Sequence, residues 1–314
     1  MKTHLNNTKK KIIFIFGPTA SGKTDLAIAI SKKFPVEIIS VDSVMVYKEC
    51  NIGSAKPPQE ILKKYKHHLV DKVDLKRVYT AADFCKASLE LIPEIYQRKK
   101  IPLFVGGSMM YFKSLVDGMH DLPSSDEMYR KKLNAQKKKH GLSYLYKILM
   151  KKDANYAKKI QANDEKRIFR ALEIIKQTNN KLSNIISSKD RKPLTEKYNI
   201  LQYGLVATDR SKLHKKIEDR LVKMFDDGLI DETKEILDKK NISRDHPIFK
   251  AINYRQVIGM LNNEYDHDVC FQRALFATRQ LSKRQATWIK SWKGCKELDF
   301  QNRKFDFTNL KKVL

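Results

Sequence analysis

Apolar positions in this chain follow two rhythms. Ile12 to Phe16, Val36 to Val41 and Ile101 to Val105 form short, nearly continuous apolar runs rich in β-branched and aromatic residues. Runs of that length predict strands buried on both faces. Each run leads through a turn into helical spacing. The first continues into "KTDLAIAISKKF", closed by Pro35, and the third into "MMYFKSLVDG". Between the second and third lies the amphipathic stretch "TAADFCKASLELIPEIYQRKK", opened by Thr80 with Asp83 three residues on as a capping-box variant. A kink is expected in it at Pro93. Strands alternating with helices predict a parallel sheet covered on both sides. From Asp121 to Lys197 the rhythm is helical and Lys-rich, with no convincing strand. "ILQYGLVATD", residues 200–209, returns to strand character, and helices are expected from there onward. The reading is an α/β core of residues 1–120 and 198–314, interrupted by an all-helical insertion of residues 121–197. No internal repeat or low-complexity linker appears.

Composition narrows the class. With 314 residues and 41% apolar content the chain can bury a large core, as one domain or two. Cys50, Cys85, Cys270 and Cys295 lie far apart, which argues against a disulfide framework and a zinc site. The opening "MKTHLNNTKKKIIFIFGP" looks like a leader, but its apolar run stops at Gly17-Pro18, too early for a signal peptide. No stretch reaches transmembrane length, so a soluble cytoplasmic protein without membrane contact is expected. The net charge of +27 suggests a polyanionic partner. Of the 63 basic residues 49 are Lys, a bias that an A/T-rich genome would also produce. The 14 arginines are more informative, since a planar guanidinium forks onto phosphates and base edges.

Chemistry concentrates at the ends of the predicted strands. "GPTASGKT", residues 17–24, fits the phosphate-loop pattern G-x-x-x-x-G-K-[ST] between a strand and a helix. Backbone N–H groups of Thr19, Ala20, Ser21 and Gly22 would cradle a diphosphate, Lys23 would neutralise charge and Thr24 could reach Mg²⁺. Which polyphosphate is held stays open at this point. Asp42, ending the second strand, could hold Mg²⁺, take a proton or cap a turn. Gly106-Gly107-Ser108 stands where a hydrolase often carries an acid; two glycines and a hydroxyl suit contact with a leaving group instead, or a tight structural turn. His67 and His68 are adjacent and point apart, which favours packing over joint ligation. Trp288 and Trp292 continue a helical stripe from Leu281 and read as core anchors rather than stacking platforms.

Seven stretches together go further: "GPTASGKT", "ISVDSVMVYKECNIGSAKP", "HHLVD", "YTAADF", "LFVGGSMMYFKSL", "RIFRALEI" and "TRQLSKRQATW". In this order, over residues 11–293, the chain resembles the tRNA dimethylallyltransferase (tRNA isopentenyltransferase) family of bacterial type. The resemblance implies a P-loop-type parallel-sheet core with an inserted helical domain. It implies transfer of a dimethylallyl group from dimethylallyl diphosphate to N6 of the adenosine 3′ to the anticodon, with pyrophosphate released and no NTP consumed. Gly17, Thr19 to Thr24 and Arg220 would hold the donor diphosphate. Asp42 would be the general base, and Lys23, Thr24, Mg²⁺ and Ser108 would stabilise the leaving group. A flipped adenine in a channel through the core is implied too. For the anticodon stem-loop of tRNA the family pattern points to Asp42, Ser43, Val44, Met45, Ser108, Arg130, Lys166, Arg167 and Arg170. In the C-terminal part it points to Lys250, Tyr254, Arg255, Arg279, Lys283, Arg284 and Gln285. A monomer is expected. Departures from the family pattern are Ser54 and Ser108 for Thr, Met45 for Gln, Asn253 for Gly, and Asn179-Asn180 for Thr-Gly; none removes a catalytic group. A P-loop kinase would leave the basic helical insertion unexplained, and a non-catalytic RNA-binding module would leave the phosphate loop and Asp42 unexplained.

Overall fold

A computed structural model describes residues 9–188, 190–239, 242–243, 245–301 and 305–313. Residues 1–8 of the leader-like stretch lie outside the described residues. Two compact units form: Met1–Val116 with Leu194–Leu314, and Asp117–Pro193. Both joins fall a few residues before those expected from the sequence; at the second, Leu194 is already buried in the core of the first unit.

The first unit begins with β1 (Lys11–Phe16), α1 (Lys23–Ser31), β2 (Val36–Val41), α2 (Gln59–Lys64), β3 (His67–His68), α3 (Ala81–Gln97), β4 (Ile101–Gly106) and α4 (Met109–Asp117). The second unit holds α5 (Glu127–His140), α6 (Leu142–Lys152), α7 (Ala154–Ala157), α8 (Glu165–Thr178) and α9 (Leu182–Ser187). The first unit resumes with α10 (Leu194–Lys197), β5 (Asn199–Val206), α11 (Arg210–Asp226), α12 (Leu229–Asp238) and a 3₁₀ turn, Pro247–Lys250. It ends with α13 (Tyr254–Leu261), α14 (His267–Lys290), β6 (Lys296–Asp299) and α15 (Phe307–Val313).

Six parallel strands make one sheet in the order β3-β2-β4-β1-β5-β6. Alternate residues face opposite layers, as the strand period of two requires. Phe14, Phe16, Ile39, Val41 and Phe104 pack with α3 and α4 on one side. Ile13, Ile15, Ile38, Leu103 and Val105 pack with Ala27 and Ile30 of α1 on the other. Burial on both faces is why these strands read as unbroken apolar runs. Phe16 is in register with Gly106 and Gly204, and Val41 with Gly106, so the loops after β1, β2, β4 and β5 leave from one edge. At the start of α3 the capping box forms as expected: Thr80 Oγ1 accepts from Asp83 N at 3.2 Å, and Asp83 Oδ2 accepts from Thr80 N at 2.9 Å.

Two strands escape the sequence reading. β3 is only two residues long, and β6 interrupts the helices expected to run to the C-terminus. β6 is a short polar edge strand, "KELD", paired on one side to β5, so it carries no apolar rhythm. The strand expected over residues 200–209 stops at Val206, and Asp209 turns out to cap α11, accepting from Ser211 N at 2.8 Å.

The second unit is all-helical among its described residues, around Leu133, Leu145, Leu149, Ile168, Phe169 and Leu172. At its centre the buried Glu173 carboxylate accepts from Arg130 Nε at 2.9 Å and Nη2 at 3.1 Å, Arg170 Nη1 at 2.7 Å and Asp126 N at 2.7 Å. Its two ends meet: Gly118 lies at φ 73°, and a Cβ there would sit 2.9 Å from the Lys192 backbone.

Candidate active site

The phosphate loop is shaped by two residues in the left-handed region, Ala20 at φ 61° and Gly22 at φ 77°, which turn the chain into α1. Lys23 folds back over the loop, its Nζ donating to the carbonyls of Gly17 at 3.1 Å and Pro18 at 2.6 Å. Arg220, from α11, donates through Nη2 to Thr19 Oγ1. Gln285, from α14, accepts from Thr19 N at 2.8 Å and donates to the Gly107 carbonyl at 3.0 Å. The loop is therefore tied to three other elements of the first unit.

The glycines after β4 are there for space. A Cβ on Gly106 would overlap the Val41 carbonyl, and one on Gly107 would overlap the Gln285 side-chain amide. Ser108 follows with its N–H on the Val41 carbonyl at 3.2 Å and opens α4. Across from them Asp42 Oδ1 accepts from Val44 N at 2.8 Å and Met45 N at 3.1 Å. One oxygen thus serves the turn, and the carboxylate keeps Oδ2 for other work.

Charges here are strongly coupled. Burial, with Arg220 beside it, lowers the Lys23 ammonium to about 7, while Asp42 pulls the other way. Burial raises the Asp42 carboxyl above the usual range, against the Val44 and Met45 N–H groups and the charges of Lys23 and Arg220. A buried acid held up in this way is a better proton acceptor than a solvated one.

These groups face a cavity of about 950 Å³. Its wall comprises the phosphate loop, Asp42 to Met45, Gly53 to Ala55, Ser108 to Tyr111, Lys216, Arg220 and Met224. Lys250 to Asn253, Thr278, Leu281, Arg284, Gln285 and Trp288 also line it, as do Pro57 and His67. Its volume falls within the range of small-molecule sites. Among the described residues there is no group of three or more His, Cys, Asp or Glu that could hold a metal ion.

Of the residues expected to meet RNA, Asp42, Ser43, Val44, Met45, Ser108, Lys250, Arg284 and Gln285 line the cavity. Several already have partners within the protein. Tyr254 is 1% exposed, its hydroxyl donating to Glu232 Oε1 at 2.8 Å, so it is a core anchor. Gln285 is 7% exposed with both ends of its amide committed, a strut between the phosphate loop and Gly107. Arg130 and Arg170 are bound to buried Glu173, and Arg170 Nη2 also donates to the Pro123 carbonyl at 2.6 Å. Arg279 reaches Glu218 at 3.2 Å. Arg255, Lys283 and Lys166 are exposed, as is Arg167, whose side chain is 64% exposed beside Asp164.

His68 joins Glu37 at 2.7 Å, within an ion cluster completed by Arg98 and Lys100, and is a packing residue. Trp292 packs on Phe16 and donates to Gln202 Oε1 at 2.7 Å, a core anchor. Trp288 departs from that reading: 39% exposed, it stands on the cavity wall. Sequence reasoning missed Glu232, which accepts from the N–H groups of Asn51, Ile52 and Gly53. In "LIDETKEILD" it looks like any solvent-facing helix charge, and no sequence signal marks it.

A glycine-rich loop and a half-buried carboxylate share one cavity at the strand ends of a parallel sheet, which defines an α/β protein with its site at that edge. The comparisons narrow that class. The family model described as IPP transferase matches residues 45–292. The tRNA dimethylallyltransferase of Legionella pneumophila (strain Corby) is 40% identical over 304 residues, covering 96% of each chain. Among solved structures, the full-length tRNA isopentenylpyrophosphate transferase of Bacillus halodurans matches with a TM-score of 0.69 and 32% identity, covering 97% of this chain and 94% of that one. A eukaryotic dimethylallyltransferase captured acting on tRNA matches with a TM-score of 0.79 and 29% identity, covering 93% of this chain and 74% of that one. The chain belongs to the IPP transferase family.

Proposed function

We propose that the protein is a tRNA dimethylallyltransferase. It moves the dimethylallyl group of dimethylallyl diphosphate to N6 of the adenosine 3′ to the anticodon and releases pyrophosphate. The observation that carries this reading is the placement of half-buried Asp42 and the phosphate loop on one cavity, with Gly-Gly-Ser after β4 in place of an acid.

The phosphate-loop amides, Lys23 and Arg220 bind the donor diphosphate, whose charge restores Lys23 to the ammonium form. The adenine leaves its stack and enters the cavity with its N6 towards Asp42. An exocyclic amine is a weak nucleophile because its lone pair is delocalised into the ring. As the donor C–O bond breaks and the N6–C bond forms, Asp42 Oδ2 takes the N6 proton, while Oδ1 stays on the Val44 and Met45 amides. Lys23, Arg220 and the Ser108 hydroxyl receive the charge that develops on pyrophosphate.

Mg²⁺ would be held by the Thr24 hydroxyl, which lines the cavity at the start of α1, together with oxygens of the donor. When bound it would offset charge on the leaving group. Exposed Arg167, Lys166, Arg255 and Lys283 suit the backbone of a tRNA anticodon stem-loop. No described helix is long and apolar enough to cross a membrane, and we take the working form to be a cytoplasmic monomer.

The test is nucleoside mass analysis of unmodified tRNA incubated with the protein, Mg²⁺ and dimethylallyl diphosphate, with ATP as a parallel donor. N6-isopentenyladenosine from the prenyl donor alone is expected. Phosphorylation of an acceptor by ATP, without prenylation, would overturn the reading.

A further inference from the structure

One wall of the cavity is a backbone shelf, residues 51–57, held between two buried charges that the proposed chemistry does not use. From α12, Glu232 Oε2 accepts from Asn51 N at 2.9 Å and Ile52 N at 2.8 Å, and Oε1 accepts from Gly53 N at 2.9 Å. Three successive amides converging on one carboxylate form an anion nest. Tyr254 donates its hydroxyl to the same Oε1, and its ring lies against Gly53, where a Cβ would come within 2.6 Å of it. Asn253 Nδ2 donates to the Gly53 carbonyl at 2.9 Å. The positive counterpart is buried Lys56, whose Nζ donates to the Tyr47 carbonyl at 2.9 Å and to Asn51 Oδ1 at 2.9 Å, and which pairs with Asp71.

The shelf is also part of the site. Gly53, Ser54, Ala55 and Pro57 line the cavity. The Ser54 hydroxyl turns inward, donating to the Cys50 carbonyl at 2.7 Å, so the shelf offers the cavity a small, apolar face. Ile52 and Ala55 pack on the cluster formed by α11, α12, α13 and α14. That cluster also supports Ala20 of the phosphate loop, and α11 carries Arg220.

We infer that Glu232 is a positioning residue for the transfer site: by collecting three shelf amides it fixes the wall against which donor and base are aligned. The inference rests on the activity given under Proposed function. Without the carboxylate, the three shelf N–H groups, that of Gly53 buried and those of Asn51 and Ile52 partly so, would lose their shared acceptor, and the shelf must shift toward water in the cavity to satisfy them. Displacement of a wall by about 1 Å costs alignment of the order of 10²-fold in rate. The phosphate-loop amides and Lys23 are not touched.

The experiment compares wild type, Glu232→Gln, Glu232→Asp and Tyr254→Phe as full chains. Calorimetric titration with inorganic pyrophosphate and Mg²⁺ counts intact phosphate sites, and single-turnover prenylation of tRNA gives the rate per counted site. Glu232→Gln is expected to keep pyrophosphate affinity and to lose of the order of 10²-fold in rate per site. Glu232→Asp, which keeps the carboxylate, should recover most of it. Tyr254→Phe removes one bond and leaves the three amides held, so a severalfold loss is expected; it decides the matter if Glu232→Gln does not fold. An unchanged rate per site in the folded variants, with only the count of sites reduced, would make Glu232 a stability residue and overturn the inference. A wild type that binds pyrophosphate and prenylates no tRNA would bring down the activity and this inference together.

Discussion

Lys23 gives the site a pH dependence that can be measured on donor binding. In the donor-free protein burial and Arg220 lower its ammonium to about 7, with Asp42 opposing both. A diphosphate on the loop places negative charge beside Nζ, so the bound protein holds that proton to higher pH and takes one up on binding. The sign follows from the order of the two values. Donor affinity is full below pH 7 and is lost as pH rises through 7. Each further unit removes about tenfold in affinity, or about 1.4 kcal/mol. Between pH 7 and about 9 the loss is therefore about a hundredfold. The assay is calorimetric titration of dimethylallyl diphosphate without tRNA, at constant Mg²⁺ and ionic strength, in two buffers of different ionisation enthalpy so that proton uptake is counted. Lys23→Met should bind weakly with no slope. Arg220→Gln removes a charge that depresses Lys23, so the slope should begin at higher pH although overall affinity falls. Level affinity from pH 7 to about 9 with no proton uptake would refute the reasoning, because Lys23 would then be charged in the empty site.

Asp42→Asn keeps the acceptor for Val44 and Met45 and cannot take a proton, so single-turnover prenylation should fall roughly 10²–10⁴-fold with donor binding unchanged. Arg167→Ala should weaken tRNA binding and flatten its salt dependence by roughly 0.7–0.9 units of slope per lost phosphate contact, read from binding isotherms at several salt concentrations. Arg130→Ala should instead destabilise the helical unit by about 1–3 kcal/mol in denaturant melts, because buried Glu173 loses a bidentate partner. Replacing residues 117–193 by a short Gly/Ser linker should leave a folded sheet that still binds dimethylallyl diphosphate, since the ends of that segment meet at Gly118 and Lys192 and the phosphate loop lies outside it. The trimmed protein should lose most tRNA affinity, which parallel titrations of donor and tRNA will show.

The strands legible from sequence were those buried on both faces. β1, β2 and β4 announce themselves as apolar runs, and the phosphate loop by its glycines and lysine. β6 was hidden because an edge strand paired on one side needs no apolar alternation, and "KELD" carries none. Site residues divide by a different rule. Motifs place a residue in a neighbourhood and do not say what its side chain is already holding. Tyr254 and Gln285 both stand in motif stretches pointing to RNA, yet one is spent on Glu232 and the other on Thr19 and Gly107. Arg167 and Arg170 are three apart on one helix, but only a buried acid at Glu173 tells them apart, and a buried Glu looks like an exposed one in a sequence.

The same limit applies to charge, and it bears on what the site is for. A Lys at the end of a phosphate loop is an ordinary cation until folding desolvates it and brings Arg220, from a distant part of the chain, beside it. The Gly-Gly pair after β4 is then decisive on steric grounds. Gly106 must admit the Val41 carbonyl, which receives the N–H of Ser108, and Gly107 must admit the Gln285 amide, which holds Thr19. A side chain at Gly106 would displace the Val41 carbonyl from Ser108, and one at Gly107 would displace the amide that holds the phosphate loop. The carboxylate that faces the cavity from a strand end is therefore Asp42, after β2.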